Sequence, residues 1–268
     1  MLGWRHSFLS LLGPPRLCTP FIGMHGACAS VRWLFVLGTG RSGSTTLMAM
    51  LSAVPQIFLT GENSVVPLLA QLLTAATGMG HGGDHNMGDP MFNRPDHNAL
   101  RDDACSMLLH LEHYPHHEAA YRGCKLIGNP NATENEQIET KVNAIMTLFP
   151  NAVFVASFRE DIERQAHSGF YNGVQAAELA NATARLRATL KATGRPTFEL
   201  PLEQFSPASF TRLLRWLGIV GCEYVDVLHQ NSGGYHNTLD GATAKRMLKG
   251  TCELLETGPN NLTRHRFV

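Results

Sequence analysis

The chain has 268 residues, of which 44% are hydrophobic and 16% are charged, and its 22 basic side chains are balanced by 22 acidic ones. This apolar content is sufficient for a hydrophobic core, and the low charge argues against an extended disordered protein. A surface that binds nucleic acid normally needs a basic surplus to neutralise phosphates, so the balanced charge argues against a nucleic-acid partner.

The first thirty residues differ in composition from the rest. They are rich in proline and glycine, and no acidic residue precedes Glu62. This bias predicts a targeting or irregular leader at residues 1–30, followed by one domain at residues 31–268. No apolar run reaches the roughly 18 residues that span a bilayer, so membrane association is expected only through the leader.

The location of the protein is predicted from sequons and cysteines. N-glycosylation sequons start at Asn131, Asn181 and Asn261, and they favour a glycoprotein of the Golgi lumen or the secretory pathway. A plastid or cytoplasmic location is the alternative, because a transit peptide would also explain the leader. Cys222 and Cys252 form either a disulfide in an oxidising compartment or two buried thiols.

Along the chain, the first predicted element is a wholly apolar strand at Trp33–Leu37, as expected for a strand covered on both faces. A glycine-rich turn at Gly38–Thr46 leads into a helix at Leu47–Ala53. A second strand at Gln56–Thr60 and a helix at 65–76 follow. Strand, glycine turn and helix together are the typical start of an α/β unit.

The middle of the chain starts with a segment at 77–98 that has abundant glycine and no apolar period. A loop of this length is often functional, and we expect it to face a substrate. A helix at 100–112, a strand at Gly123–Ile127 and a helix at Thr133–Leu148 come next.

The last part of the chain continues the alternation. A buried strand at Ala152–Phe158 is followed by a helix, and a long helix is predicted at Val174–Ala192. A short edge strand at Thr197–Pro201 and a helix at Phe210–Leu217 follow. The whole pattern predicts a three-layer α/β fold with a mostly parallel central sheet and helices on both faces.

The turn after the first strand has the chemistry of an anion site. Its glycines let successive backbone N–H groups converge, and the following helix adds the positive end of its dipole. Arg41 contributes a permanent charge. A tight turn without a ligand is the alternative. The residues predicted to bind the ligand are Thr39, Gly40, Arg41, Ser42, Gly43, Ser44 and Thr45.

The turn is P-loop-like in spacing but not in all of its chemistry. Gly38, Gly43 and Thr45 match the nucleoside-triphosphate motif, whereas Ser44 stands where that motif has its lysine. No strand ending in an aspartate that would hold magnesium is predicted nearby. The turn therefore suits a ligand with a single 5′-phosphate and no metal, although a P-loop kinase or a non-catalytic nucleotide-binding protein remains the alternative.

The sequence Arg41–Thr45 resembles the 5′-phosphosulfate loop of the sulfotransferases that use 3′-phosphoadenosine 5′-phosphosulfate. The family's second motif is a strand that ends in arginine and a helix that carries serine, and Val153–Arg159 with Ser168 is similar to it. This resemblance implies that Arg159 and Ser168 bind the 3′-phosphate. Asp161 stands where the family often has proline, and the spacing is one residue longer than usual, so that His167 is the alternative to Ser168.

Two further segments resemble this family. Gly61-Glu62 is similar to a Gly-Glu pair of carbohydrate- and trehalose-type members, and Phe198–Phe205 with Leu213–Gly218 is similar to a later family segment. The resemblance implies that Arg41 and Glu62 are catalytic, with Glu62 as general base, and that the co-substrate is the phosphosulfate donor without a metal. It also implies an acceptor hydroxyl, which we expect on a carbohydrate.

A few other polar residues have two interpretations. Lys125 either balances charge at the site or is a solvated lysine at a strand end, which we favour. The basic residues Lys245, Arg246 and Lys249 either close over the 3′-phosphate or form a basic helix face. Six histidines lack a recognised metal-binding spacing and are expected to be solvated; they are His81, His85, His97, His113, His116 and His117.

Overall fold

The computed structural model describes residues 31–62, 65–69, 71, 102–103, 105–106, 119–128, 130, 138–149, 151–171, 173–228 and 246–255. The predicted leader, the segment at 77–98, the six histidines and the sequons at Asn131 and Asn261 lie outside these residues. The described residues of the predicted helices at 65–76 and 100–112 are helical.

Five strands form one parallel sheet, as predicted. The strands are β1 (Arg32–Thr39), β2 (Ile57–Glu62), β3 (Tyr121–Gly128), β4 (Val153–Phe158) and β5 (Thr197–Pro201). Their order across the sheet is β2-β3-β1-β4-β5, so β1 is central and β5 is the predicted edge strand. All five carboxyl ends therefore lie at one edge of the sheet.

Besides the helical residues of the segments at 65–76 and 100–112, five helices with defined bounds and a short 3₁₀ helix accompany this sheet within the described ranges. The helices are α1 (Ser44–Ser52), α2 (Ile138–Leu148), α3 (Ile162–Ala166), α4 (Ala176–Thr193) and α5 (Pro207–Trp216), and the 3₁₀ helix is Leu202–Gln204. The start of α5 is set by the Ser206 side chain, which accepts a hydrogen bond from the Ser209 N–H. The end of α4 is set by Gly194 in the left-handed conformation.

The helices cover both faces of the sheet, which confirms the three-layer α/β fold. Alternate residues of β1 explain this arrangement, because successive side chains of a strand point to opposite faces. Trp33, Phe35 and Leu37 pack in the core with α2 and α4, whereas Leu34 and Val36 pack with α1 and α5. Across the described parts of the chain, no helix combines the length and the apolar character that a membrane span requires.

A second, two-stranded antiparallel sheet was not predicted. It consists of β6 (Ile219–Tyr224) and β7 (Leu248–Leu254). Cys222 and Cys252 are disulfide-bonded across this sheet. Of the two interpretations of these cysteines, a disulfide or two buried thiols, the disulfide is therefore confirmed. Lys249 lies in β7, which makes the predicted basic helix face wrong at this residue.

Candidate functional site

An open cleft lies at the edge where the parallel strands end. This is the edge at which ligands bind in open α/β sheets. The cleft brings the glycine turn after β1 together with the ends of β2 and β3. Its lining residues are Gly40, Arg41, Gly43, Ser44, Thr45, Glu62, Lys125, Ile127 and Phe170.

The glycine turn has an unusual backbone. Gly43 adopts φ 87° and is the N-cap of α1, and Arg41 adopts φ 60°. A Cβ atom at Gly43 would lie 2.7 Å from Leu202 and 3.0 Å from Phe205, so both conformation and space favour glycine there. Arg41 has no such freedom, and a left-handed non-glycine residue costs about 1–2 kcal/mol. Such strain is common where backbone groups are arranged for a ligand.

The predicted hydroxyl residues of the turn divide into two groups. Ser44 and Thr45 line the cleft at the start of α1. Ser42 and Thr39 are fully buried. A Cβ atom at Gly38 would lie 2.6 Å from Ser42 Oγ, so this hydroxyl is beneath the turn, and Thr39 Oγ1 accepts a hydrogen bond of 2.8 Å from Gln165 Nε2. The Thr39 hydroxyl is thus placed to hold the turn, whereas the Ser42 hydroxyl has no hydrogen-bond partner within the described part of the chain, and neither residue lines the cleft.

Lys125 lines the cleft between the glycine turn and the end of β2. Its side chain is buried, and its Nζ atom lies 3.3 Å from Glu62 Oε1 and donates a hydrogen bond of 3.2 Å to Thr45 Oγ1. The favoured interpretation of a solvated lysine is therefore wrong. The reason is the strand order, which places β3 between β2 and β1 and hence places Lys125 between Glu62 and the glycine turn.

Glu62 reaches Lys125 because β2 is irregular at its end. Thr60 pairs with Cys124 and Glu62 pairs with Lys125, so Gly61 is an extra residue in the ladder. A bulge of this kind redirects the side chain that follows it. The Glu62 side chain is 65% exposed, so it is both ion-paired and accessible from the cleft.

Arg159 and Ser168, the predicted 3′-phosphate residues, follow β4 beside the glycine turn. Because Gly38 pairs with Ser157, Arg159 leaves the sheet at the same edge as Arg41. Arg159 is half-buried, and its Nε atom is buried without a hydrogen-bond partner in the described part of the chain. Ser168 is half-buried and its Oγ donates 2.7 Å to the Gln165 carbonyl, whereas His167 is exposed.

The loop that presents Arg159 is held by Glu203. This carboxylate accepts hydrogen bonds from the backbone N–H groups of Glu160 at 3.1 Å and Asp161 at 3.2 Å. Partial burial raises the pKa of Glu203, but these N–H groups and the Arg159 charge outweigh that effect, and the pKa is lowered overall. Glu203 belongs to a segment noted in the sequence only for its resemblance, so this contact was missed.

Gln165, Phe170 and Tyr171 were also missed. Gln165 and Tyr171 are buried and contact the Gly40 carbonyl, and Phe170 is 47% exposed and lines the cleft. The sequence contained one signal for Gln165, because this residue begins the Gln-Ala-His-Ser group that ends at Ser168. Phe170 and Tyr171 lie in an irregular segment, where no periodicity indicates which side chain is buried.

Comparisons with known proteins identify one family. The family model described as "Sulfotransferase family" matches residues 34–198. No curated protein matches the sequence. Among solved structures, an unliganded sugar kinase from Janibacter sp. HTCC2649 aligns with a TM-score of 0.36 and 14% identity, over 70% of this chain and 94% of that one. A dephospho-CoA kinase from Campylobacter jejuni aligns with a TM-score of 0.26 and 10% identity, over 67% and 92%.

Proposed function

The chain belongs to the sulfotransferase family, and we propose that it moves a sulfuryl group from 3′-phosphoadenosine 5′-phosphosulfate to an acceptor hydroxyl. One observation carries the proposal: Lys125 joins the carboxylate of Glu62 to the glycine turn within a single cleft. A phosphate-binding turn, a cation and an accessible carboxylate are the three groups that this reaction needs side by side.

The turn is the proposed site of the donor's 5′-phosphate. Arg41, Ser44 and Thr45 line the cleft at the N-terminus of α1, and a guanidinium, hydroxyl groups and a helix N-terminus each favour an anion. Arg159 and Ser168 are the proposed partners of the 3′-phosphate. The buried Nε of Arg159 supports this, because a buried guanidinium donor without a partner is costly unless a ligand satisfies it.

The proposed reaction is an in-line transfer at sulfur. The bond between sulfur and the oxygen of the 5′-phosphate breaks while the acceptor oxygen bonds to sulfur, and the acceptor proton passes to Glu62. The products are a sulfate ester and adenosine 3′,5′-bisphosphate. Arg41 and Lys125 stabilise the negative charge that grows on the leaving oxygen, since fixed charges in a partly dry site act more strongly than in water.

The base role of Glu62 is tested by Glu62→Gln. This change keeps the shape of the side chain and its position opposite Lys125, so adenosine 3′,5′-bisphosphate should bind as before. Turnover should fall about 100-fold or more, because a positioned base contributes 10²–10⁴ to such rates. Transfer of labelled sulfate to an acceptor sugar measures it. Turnover equal to the wild type would remove Glu62 from this role.

A carbohydrate is the proposed acceptor class. It rests on the resemblance of Gly61-Glu62 to carbohydrate- and trehalose-type members, and the lining of the cleft is compatible with it. Phe170 and Ile127 offer apolar surface on which the C–H face of a sugar ring can pack, next to the carboxylate that would receive the hydroxyl proton.

The proposed location is the secretory pathway, with the Golgi lumen as the expected compartment. The disulfide between Cys222 and Cys252 supports an oxidising compartment, as does the disulfide-bonded state of Cys105. Asn181, which starts a sequon, is exposed on α4. We propose that the protein is a glycoprotein and that residues 1–30 direct it there.

The donor assignment is tested by thermal unfolding with two ligands. Adenosine 3′,5′-bisphosphate should raise the melting temperature, because a ligand that binds only the folded state stabilises it by mass action. Magnesium-ATP should have a much smaller effect. The opposite order would favour a P-loop kinase, and the absence of any effect from both ligands would favour a protein whose site no longer binds nucleotides.

A further inference from the structure

The carbonyl group of Gly40 is held by two buried side chains. Gln165 Nε2 donates to it at 2.6 Å and Tyr171 Oη donates at 3.1 Å. Gln165 is 0% exposed and Tyr171 is 4% exposed. The carbonyl oxygen of Gly40 therefore points into the protein, beneath the glycine turn.

This orientation determines where the next N–H group points. No peptide bond among the described residues is cis, and in a trans peptide the C=O and N–H groups point in opposite directions. The N–H of Arg41 therefore points away from Gln165 and Tyr171, to the side on which Gly40 and Arg41 line the cleft.

The arrangement needs external support because Arg41 is strained. Its φ of 60° lies in the left-handed region, which a residue other than glycine seldom adopts unless the surrounding structure enforces it. The two hydrogen bonds to Gly40 supply that support. Glycine at position 40 permits them, because a Cβ atom there would lie 2.7 Å from Tyr171 Oη and 2.4 Å from Phe170.

The Tyr171 hydroxyl and the Gln165 amide both keep their donor protons whatever the pH of the assay. Burial raises the pKa of Tyr171 far above its ordinary value, despite the hydrogen bond to Gly40, so the phenol keeps its proton at any working pH. An amide such as that of Gln165 does not titrate. Gln165 also fixes the adjacent residue by donating 2.8 Å to Thr39 Oγ1.

The same short segment holds Ser168. Ser168 Oγ donates 2.7 Å to the carbonyl of Gln165, and the N–H of Tyr171 donates 3.0 Å to the carbonyl of Ser168. On the proposed function, Ser168 meets the 3′-phosphate and the glycine turn meets the 5′-phosphate. The segment of residues 165–171 thus contacts both proposed phosphate sites.

We propose that Gln165 and Tyr171 are positioning residues, which orient the Gly40–Arg41 peptide so that the Arg41 N–H binds the 5′-phosphate of the donor. The inference rests on the proposed function. It assigns both side chains to the 5′-phosphate end of the nucleotide. A variant that is merely less stable would lose affinity for every nucleotide, whereas the inference predicts a loss only for nucleotides with a 5′-phosphate.

The test compares two ligands that differ only in the 5′-phosphate, adenosine 3′,5′-bisphosphate and adenosine 3′-monophosphate. Isothermal titration calorimetry should show Tyr171→Phe binding the bisphosphate about tenfold more weakly, as expected for a weakened hydrogen bond to a charged group. Its affinity for the monophosphate should be unchanged. Gln165→Met should show the same pattern, and if that variant does not fold, Tyr171→Phe decides alone.

Tyr121→Phe is the matched control. Tyr121 is also buried, and its hydroxyl donates 2.6 Å to the Leu217 carbonyl. It lies at the start of β3, seven residues before Gly128, which pairs with Thr39, and hence about 23 Å from the turn. The Tyr121→Phe variant should bind both ligands with wild-type affinity.

Three results would overturn the inference. They are wild-type affinity of Tyr171→Phe for both ligands, an equal loss of affinity for both ligands in Tyr171→Phe, and the same selective loss in the control. A wild-type protein that does not bind the bisphosphate at all would overturn the proposed function, and this inference with it.

Discussion

At the scale of single residues, the charges of the cleft come from three different elements. Arg41 lies in the turn after β1, Lys125 in β3 and Glu62 at the end of β2. Lys125 is buried and in contact with Glu62 and Thr45, so it is already held in place before any ligand binds. A charge held in this way costs no reorganisation when negative charge develops beside it.

Replacing Lys125 by methionine should therefore affect turnover more than binding. Lys125→Met keeps most of the buried stem and removes the charge, and the exposed carboxylate of Glu62 remains solvated, so the protein should fold. We expect kcat to fall about 100-fold and the affinity for adenosine 3′,5′-bisphosphate, which lacks the sulfuryl group, to change much less. Steady-state kinetics and calorimetry measure the two effects.

The control for this change is Lys191→Met. Lys191 lies in the last turn of α4 and is exposed, so the variant has the same change of residue type far from the cleft and should keep wild-type turnover. Wild-type kcat in Lys125→Met would show that this lysine only pairs with Glu62 and takes no part in the reaction.

Arg41 and Arg159 are proposed to read opposite ends of the donor, and their alanine variants should therefore fail differently. Arg159→Ala should lose its preference for adenosine 3′,5′-bisphosphate over adenosine 5′-monophosphate, whereas Arg41→Ala should lose its preference for the bisphosphate over adenosine 3′-monophosphate. Each loss should be about tenfold or more, as for a charge-assisted hydrogen bond. Competition binding with the three nucleotides measures both, and identical profiles for the two variants would contradict the assignment.

At the scale of elements, the parallel strands were predictable and their mutual contacts were not. The run Trp33–Leu37 lies within β1, because a strand buried on both faces is a continuous apolar segment between turns. The predicted edge strand Thr197–Pro201 matches β5. The order β2-β3-β1 is a long-range property that no local pattern contains. The burial of Lys125 and its contact with Glu62 follow from that order, and this explains why a solvated lysine was favoured.

The two-stranded sheet of β6 and β7 was missed for a local reason. Gly221 and Gly250 adopt φ 80° and 88°, and a Cβ atom at Gly221 would lie 2.4 Å from the Thr251 carbonyl oxygen. Glycine permits this close approach, but it also interrupts the alternation that identifies a strand. The bulge at Gly61, which aims Glu62, was missed for the same reason.

Glu203, in the segment after β5, holds the loop that presents Arg159, and the stability that this contact contributes should depend on pH. The lowered pKa of Glu203 means that its contacts stabilise the folded state while the carboxylate is charged, and that this stability is lost as the pH falls through the folded-state pKa. Glu203 is exposed, so we expect only about 0.5 kcal/mol. The melting temperature of Glu203→Gln should be lower than that of the wild type at pH 7, and the difference should shrink as the pH falls into the acidic range where Glu203 is protonated.

Glu199→Gln is a suitable comparison, since Glu199 lies in the preceding strand β5 and pairs with Arg187 at 3.3 Å on the surface. It should leave the affinity for adenosine 3′,5′-bisphosphate unchanged, whereas Glu203→Gln should weaken it slightly. A Glu203→Gln protein as stable as the wild type at neutral pH would show that the loop is held by other contacts.

At the scale of the whole molecule, the contacts of the β6–β7 sheet and the residues of the cleft lie at different ends of the parallel sheet. The β6–β7 sheet packs with α1, α5 and the start of β3: Tyr224 Oη donates to the Met50 carbonyl near the end of α1, and Gln56 Nε2 donates to the Cys252 carbonyl. The cleft lies at the opposite end of both α1 and β3. The disulfide therefore stabilises the fold and does not contact the cleft.

The disulfide between Cys222 and Cys252 should accordingly contribute to stability without affecting the donor. The two cysteines are separated by 30 residues, and closing a loop of this length in the unfolded chain is worth about 3.5 kcal/mol in the chain-entropy account. Replacing both by alanine should lower the free energy of unfolding in urea by about 2–4 kcal/mol. Well below the melting temperature, the affinity for adenosine 3′,5′-bisphosphate should stay at the wild-type value. If that affinity fell while the protein was still folded, the β6–β7 sheet would have to affect the nucleotide site, and the separation of the disulfide from the cleft would be wrong.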